Sequence, residues 1–124
     1  MILAVAVGGA FGAVARYLVM SGIGHWSGHG FPWGTLTVNI AGSFVMGVLV
    51  ELMALVWSPS PELRALLAVG VLGAFTTFST FSLDVVVLIQ RGETMPAGAY
   101  VLASVVMCVI GLYAGLRLCR AILV

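Results

Sequence analysis

Apolar residues occupy four long blocks of this chain, separated by short polar links. The blocks run from about residue 2 to 20, 34 to 57, 63 to 90 and 97 to 118. Each holds roughly the 20 apolar residues that a helix needs to cross a hydrocarbon core of about 30 Å. Two links carry strong breakers, Ser58-Pro-Ser-Pro-Glu62 and Arg91-Gly-Glu-Thr-Met-Pro96, and Pro96 suits the first turn of the fourth helix. The longest link, Ser21 to Trp33, is glycine-rich and contains His25 and His29. Trp26, Trp33 and Trp57 fall near block ends, where an interfacial aromatic belt would lie.

The third block departs from a plain span. About 28 residues of helix would extend about 42 Å, so it should tilt or break near its centre. Gly70, Gly73 and the run from Phe75 to Ser82 mark the expected break. That run packs Thr76, Thr77, Ser79, Thr80 and Ser82 among Phe75, Phe78 and Phe81. Polar groups at bilayer depth must be satisfied by protein, by water or by a passing solute. The working part of the molecule is therefore expected here.

Composition fixes the class. Hydrophobic residues make up 62% of the chain and charged residues 7%, with a mean hydropathy of +1.22. A soluble domain needs about a quarter of its residues charged. The chain is thus expected to be one all-α integral membrane domain over 1–124, with no separate catalytic domain. A net charge of +1 without a basic run argues against nucleic acid as a partner. Cys108 and Cys119 share the fourth block, about 16 Å apart along a helix, which is beyond disulfide reach. They read as small apolar fillers. The first block begins without a charged leader or cleavage site and reads as a retained helix.

Two pairs at helix-packing spacing, Gly8-x-x-x-Gly12 and Gly111-x-x-x-Gly115, predict close backbone approach. Four helices filled with small side chains do not enclose an aqueous pore, so transport would need an oligomer, most simply a dimer. An even number of spans puts Arg64, Arg117 and Arg120 on one side and Arg16 and Arg91 on the other. So weak a bias permits insertion in either orientation, and hence an antiparallel pair.

Several side chains allow two readings each. Asn39, in the second block, offers amide donors to an anion, or else ties helices together. Arg16 snorkels to the interface or supplies positive potential to a vestibule. Phe78 and Phe81, three apart on one helix face, present positive ring edges to an anion or simply meet lipid and core. Thr76, Thr77, Ser79 and Thr80 donate to an anion or bond back to carbonyls one turn earlier. Tyr100 and Ser104, with Cys108 a further turn on, make a short polar stripe. Glu51 and Asp84 are the acids inside spans, where capping or interfacial solvation competes with proton coupling. Catalysis finds no nucleophile–base pair and no metal-ligand spacing, and the two histidines read as part of a solvated loop. The chain is not expected to be an enzyme.

Three stretches carry a family resemblance: Gly8-Gly-Ala-Phe-Gly-Ala-Val-Ala-Arg-Tyr17, Gly34-Thr-Leu-Thr-Val-Asn-Ile-Ala-Gly-Ser43 and Gly73-Ala-Phe-Thr-Thr-Phe-Ser-Thr-Phe-Ser82. In order, spacing and chain length the sequence resembles the small fluoride channels of the Fluc (CrcB) family. The resemblance implies four transmembrane helices with a broken third, paired as an antiparallel, dual-topology homodimer in the prokaryotic plasma (inner) membrane. It implies passive export of cytoplasmic fluoride. Phe78 and Phe81 would be the pore-facing rings and Asn39 their polar partner. Ser79 and Thr80 would belong to the same anion pathway. Tyr100 and Ser104 would begin a polar track, and where it would continue with another hydroxyl this chain has Cys108. A structural sodium ion is implied at the dimer axis, held by the backbone carbonyls of Gly73 and Thr76, and Arg16 would supply potential only. The rival reading, a small multidrug-resistance-type proton-coupled exporter, requires a glutamate in the first span. This first span has no acid.

Overall fold

The structure, a computed structural model, describes the backbone of residues 1–27 and 30–124, and the side chains of all of these except 25–27. The readings placed on His29 and on the side chains of His25 and Trp26 lie outside the described residues. Those residues fold entirely as helices and turns: α1 (Ile2–Ser27), α2 (Trp33–Leu55), α3 (Pro61–Arg64), a π-helical segment (Ala65–Leu72), α4 (Gly73–Phe75), α5 (Phe78–Gln90) and α6 (Thr94–Leu123). Four of the helical stretches are long and apolar enough to cross a membrane: Ile2–Gly24, Trp33–Leu55, Pro61–Gln90 and Thr94–Leu123. This is an all-helical, multi-pass membrane protein.

Helix ends depart from the hydropathy blocks for local reasons. The first apolar block stops at Met20, yet α1 continues to Ser27. Backbone i to i−4 bonding does not depend on side-chain polarity, so Ser21, Gly22 and Gly24 lower hydropathy without ending the helix. Pro96 sits in the first turn of α6, where a missing N–H costs nothing, and the Ala97 N–H still reaches the Glu93 carbonyl at 3.1 Å. Between α5 and α6 the chain turns at Gly92, whose φ of +78° suits glycine alone, and Glu93 N–H closes onto the Leu88 carbonyl at 2.9 Å. Pro61 opens α3 behind Ser60, whose Oγ accepts from the Leu63 N–H at 3.2 Å.

Packing is set by glycine. Gly8 and Gly12 lie so close to the π-helical segment that a Cβ on either would overlap the carbonyl oxygen of Leu66 or Val71. Gly47 and Gly115 bring α2 and α6 together in the same way, against the carbonyls of Leu112 and Phe44. A small core of Leu36, Phe81, Leu88, Ala97 and Tyr100 forms where α2, α5 and α6 meet. Most other large apolar side chains lie on the outside, Phe78 among them at 78% exposure. An apolar exterior on this scale belongs in lipid or against another chain.

Candidate functional site

The third span is interrupted at two residues. Thr76 (φ −85°, ψ 159°) and Thr77 (φ −151°, ψ 123°) are extended between α4 and α5. Sequence reading centred the interruption on Gly70, Gly73 and the hydroxyl run. Gly70 instead lies inside the π-helical segment, where it is small because Gly8 presses against it.

Each polar group at the interruption has a definite partner. Thr76 N–H and its Oγ1 both donate to the Leu72 carbonyl at 3.1 Å. Thr77 N–H donates to Asn39 Oδ1 at 2.8 Å, while Asn39 Nδ2 donates to the Thr77 carbonyl at 3.0 Å. Thr77 also caps α5, its Oγ1 accepting from Thr80 N–H at 3.2 Å and lying 3.3 Å from Ser79 Oγ. Ser82 bonds back to the Phe78 carbonyl at 3.0 Å. Much of the hydroxyl run is thus used in shaping the chain. One N–H of the Asn39 amide is left over after its bond to Thr77.

The interruption opens a groove of about 370 Å³, lined by Asn39, Ser43, Thr76, Thr77, Phe78, Phe81, Ser104, Val105, Cys108 and Val109. Of the residues singled out in the sequence, Asn39, Phe78, Phe81, Ser104 and Thr76 meet here. The Phe78 and Phe81 rings are 5.4 Å apart, tilted by 48°. Ser79 and Thr80 stand in the first turn of α5, beside the groove rather than in its lining. Tyr100 is fully buried against Phe81, and its hydroxyl donates to Asp84 Oδ2 at 3.0 Å. The polar stripe of α6 is therefore divided: Ser104 and Cys108 line the groove, while Tyr100 turns to Asp84. Asp84 in turn borders a second cavity of about 240 Å³, with Phe31, Trp33, Thr35 and Arg91 among its other walls. Arg16 is half-buried on α1 and belongs to neither lining.

Sequence reading missed Ser43 and the part Thr77 plays. The signal for Thr77 was present, since a threonine just ahead of an apolar helical run is a common N-cap. Ser43 gives no such signal, because only the helix register places it opposite Cys108.

The interruption also decides whether carbonyls are available to a cation. In a continuous helix the Thr77 N–H would close onto the Gly73 carbonyl, and the Thr80 N–H onto that of Thr76. Both are diverted, to Asn39 and to Thr77 Oγ1. The carbonyls of Gly73 and Thr76 thereby lose their helical donors, and free carbonyl oxygen is the donor type a hard cation takes. The residues present fit such an ion.

A family model described as CrcB-like protein, Camphor Resistance (CrcB), matches residues 3–116. The chain belongs to this family. It is the family that the three motifs resemble. Among curated relatives, the fluoride-specific ion channel FluC of Rhodospirillum centenum is 63% identical over 120 residues, covering 97% of this chain and 95% of the relative. That of Nitrobacter winogradskyi is 53% identical over 121 residues, covering 98% and 96%. That of a Chelativorans species is 56% identical over 119 residues, covering 96% and 95%. The relatives are named as ion channels and not as enzymes, and they come from bacteria. The chain is accordingly a non-enzymatic, multi-pass prokaryotic membrane protein.

Proposed function

We propose that this chain is a fluoride-selective ion channel of the inner membrane, acting as an antiparallel, dual-topology homodimer that lets cytoplasmic fluoride leave passively. The observation that carries this reading is the groove at the interruption. At bilayer depth it combines the Asn39 amide and the Ser104 hydroxyl with the rings of Phe78 and Phe81.

These groups suit a small anion. Fluoride holds its hydration shell tightly, so a pathway must replace that shell with fixed dipoles. The remaining Asn39 N–H and the Ser104 hydroxyl donate, and the edges of Phe78 and Phe81 carry partial positive charge. Ser79 and Thr80 extend the polar surface at the start of α5. Tyr100 holds the Phe81 ring in place from behind. Arg16 adds positive potential at the approach, which raises the local concentration of anions.

One copy forms only part of a pathway, because the groove is open and Phe78 is exposed. A second copy in the opposite orientation closes it, and the pair has two such grooves. At the axis between the copies the carbonyls of Gly73 and Thr76 would hold a structural sodium ion. Two carbonyls from one chain are too few for a hard cation, and two copies double the number. Such an ion would supply positive charge between the carbonyl-bearing chain segments of the two copies.

Export follows from acid–base chemistry. Fluoride enters as its neutral weak acid and ionises in the less acidic cytoplasm, and a negative interior drives the anion out through a channel. Residues 1–124 act as one membrane domain, and passive flow down a gradient needs no energy coupling. The test is reconstitution into liposomes loaded with potassium fluoride or potassium chloride, with efflux started by valinomycin. Rapid fluoride efflux without chloride efflux is expected. Folded protein that passes no fluoride would overturn the proposal.

A further inference from the structure

We infer that the Cys108 thiol is a binding site for a soft, thiophilic metal ion inside the groove, and that a metal bound there blocks the passage of anions. The blocking part rests on the reading of the groove as an anion pathway. Three observations place the site. Cys108 is a free, half-buried cysteine in the groove wall. One helical turn earlier, Ser104 is 7% exposed, and its Oγ is buried without a hydrogen-bond partner among the described residues. From α2, Ser43 lines the same groove as Cys108.

A buried hydroxyl in a groove wall with no partner among the described residues calls for one from outside the chain, such as a water or an ion. Beside it, sulfur changes which occupant is held. A hydroxyl favours hard ions, whereas thiolate sulfur selects soft metals over hard cations. Ser104 and Ser43 bring two hydroxyls to the same groove, and Phe78 and Phe81 form part of its wall. Cys119 provides a contrast on the same helix. It is buried, lies outside the groove lining, and stands about 16 Å from Cys108 along α6.

With mercuric chloride as the probe, the Cys108 Sγ–Hg bond forms and one Hg–Cl bond breaks. The thiol proton leaves with the released chloride, and nothing is oxidised or reduced. The product leaves a heavy atom and its second chloride beside Ser104, where they obstruct the groove.

The experiment uses the full chain in liposomes, with valinomycin-driven fluoride efflux recorded before and after mercuric chloride, and the protein then digested for mass spectrometry. One mercury on Cys108 is expected, with fluoride efflux reduced to the leak of protein-free liposomes and restored by dithiothreitol. Cys108→Ser, whatever its own rate, should keep that rate when mercury is added, while Cys119→Ser should be blocked as the unmodified chain is. Mercury found on Cys119 alone, or equal block of Cys108→Ser, overturns the site. Mercury on Cys108 with undiminished efflux overturns the block. Absence of fluoride efflux before any mercury counts against the channel reading instead, and the mass measurement still decides the site.

Discussion

Asn39 and Thr77 exchange two hydrogen bonds, Thr77 N–H to Asn39 Oδ1 at 2.8 Å and Asn39 Nδ2 to the Thr77 carbonyl at 3.0 Å. A side chain of α2 thus takes the Thr77 N–H, which an uninterrupted third span would have bonded to the Gly73 carbonyl, and adds a second donor to the Thr77 carbonyl. The same residue borders the groove, so the side chain that shapes the interruption is also part of the groove wall.

Asn39→Ala leaves the Thr77 N–H unpaired at bilayer depth and removes one of two donors from the Thr77 carbonyl, which as N-cap also accepts the first bond of α5. The unpaired N–H should cost about 1–3 kcal/mol. Thermal unfolding in detergent should fall clearly below that of the unmodified chain, and fluoride efflux should be lost with it. Asn39→Asp retains the acceptor for Thr77 N–H but sets an anionic oxygen against the Thr77 carbonyl, so it should also unfold earlier. An Asn39→Ala protein as stable as the original would show that the exchange carries no weight.

Gly12 and Gly9 separate close packing from helix propensity. A Cβ at Gly12 would overlap the Val71 carbonyl, whereas one at Gly9 meets nothing within 4 Å. Gly12→Ala should destabilise by about 1–3 kcal/mol, as overpacking does. Gly9→Ala should be neutral or slightly stabilising, because alanine is the better helix former. Yield of monodisperse protein and thermal unfolding check both, and equal behaviour would contradict the packing described for α1.

Four spans were legible in the sequence because a bilayer demands about 20 apolar residues from each crossing helix. The ends were less so, since Ser21 to Ser27 are helical despite their polarity. The π-helical stretch Ala65–Leu72 was not legible at all: no residue pattern in it separates π from α hydrogen bonding, and it lies against Gly8 and Gly12 of α1. At the site, Phe78, Phe81, Asn39 and Ser104 were named before their meeting was visible. The division of the α6 stripe was not foreseen, because helical spacing aligns Tyr100 with Ser104 but does not show that Asp84 takes the Tyr100 hydroxyl.

Tyr100→Phe removes the hydroxyl that donates to Asp84 while keeping the buried ring. A cost of about 1 kcal/mol is expected, toward the lower end for such a bond because Asp84 also borders the second cavity. The double variant Tyr100→Phe/Asp84→Asn should lose less than the sum of the two single changes. Strict additivity in thermal unfolding would show that the pair does not interact.

Arg120 and Glu51 join the ends of α6 and α2, with Nε 3.6 Å from Oε1. Glu51 is buried and Arg120 largely exposed, so the two changes should be unequal. Arg120→Ala leaves a buried carboxylate without its cation and should cost about 1 kcal/mol after screening. Glu51→Gln should cost less, and adding it to Arg120→Ala should recover part of the loss. A larger loss from Glu51→Gln would contradict this ordering.

Fluoride efflux from liposomes carrying equal amounts of the unmodified chain and of Phe78→Ile tests the channel reading most directly. Isoleucine keeps much of the bulk and the apolarity of the site but removes the aromatic ring from the groove lining. If the account holds, the unmodified chain empties the liposomes of fluoride, and Phe78→Ile, folded and assembled to the same extent, does not. Undiminished efflux through Phe78→Ile would contradict it, and would place the anion pathway away from the interruption in the third span.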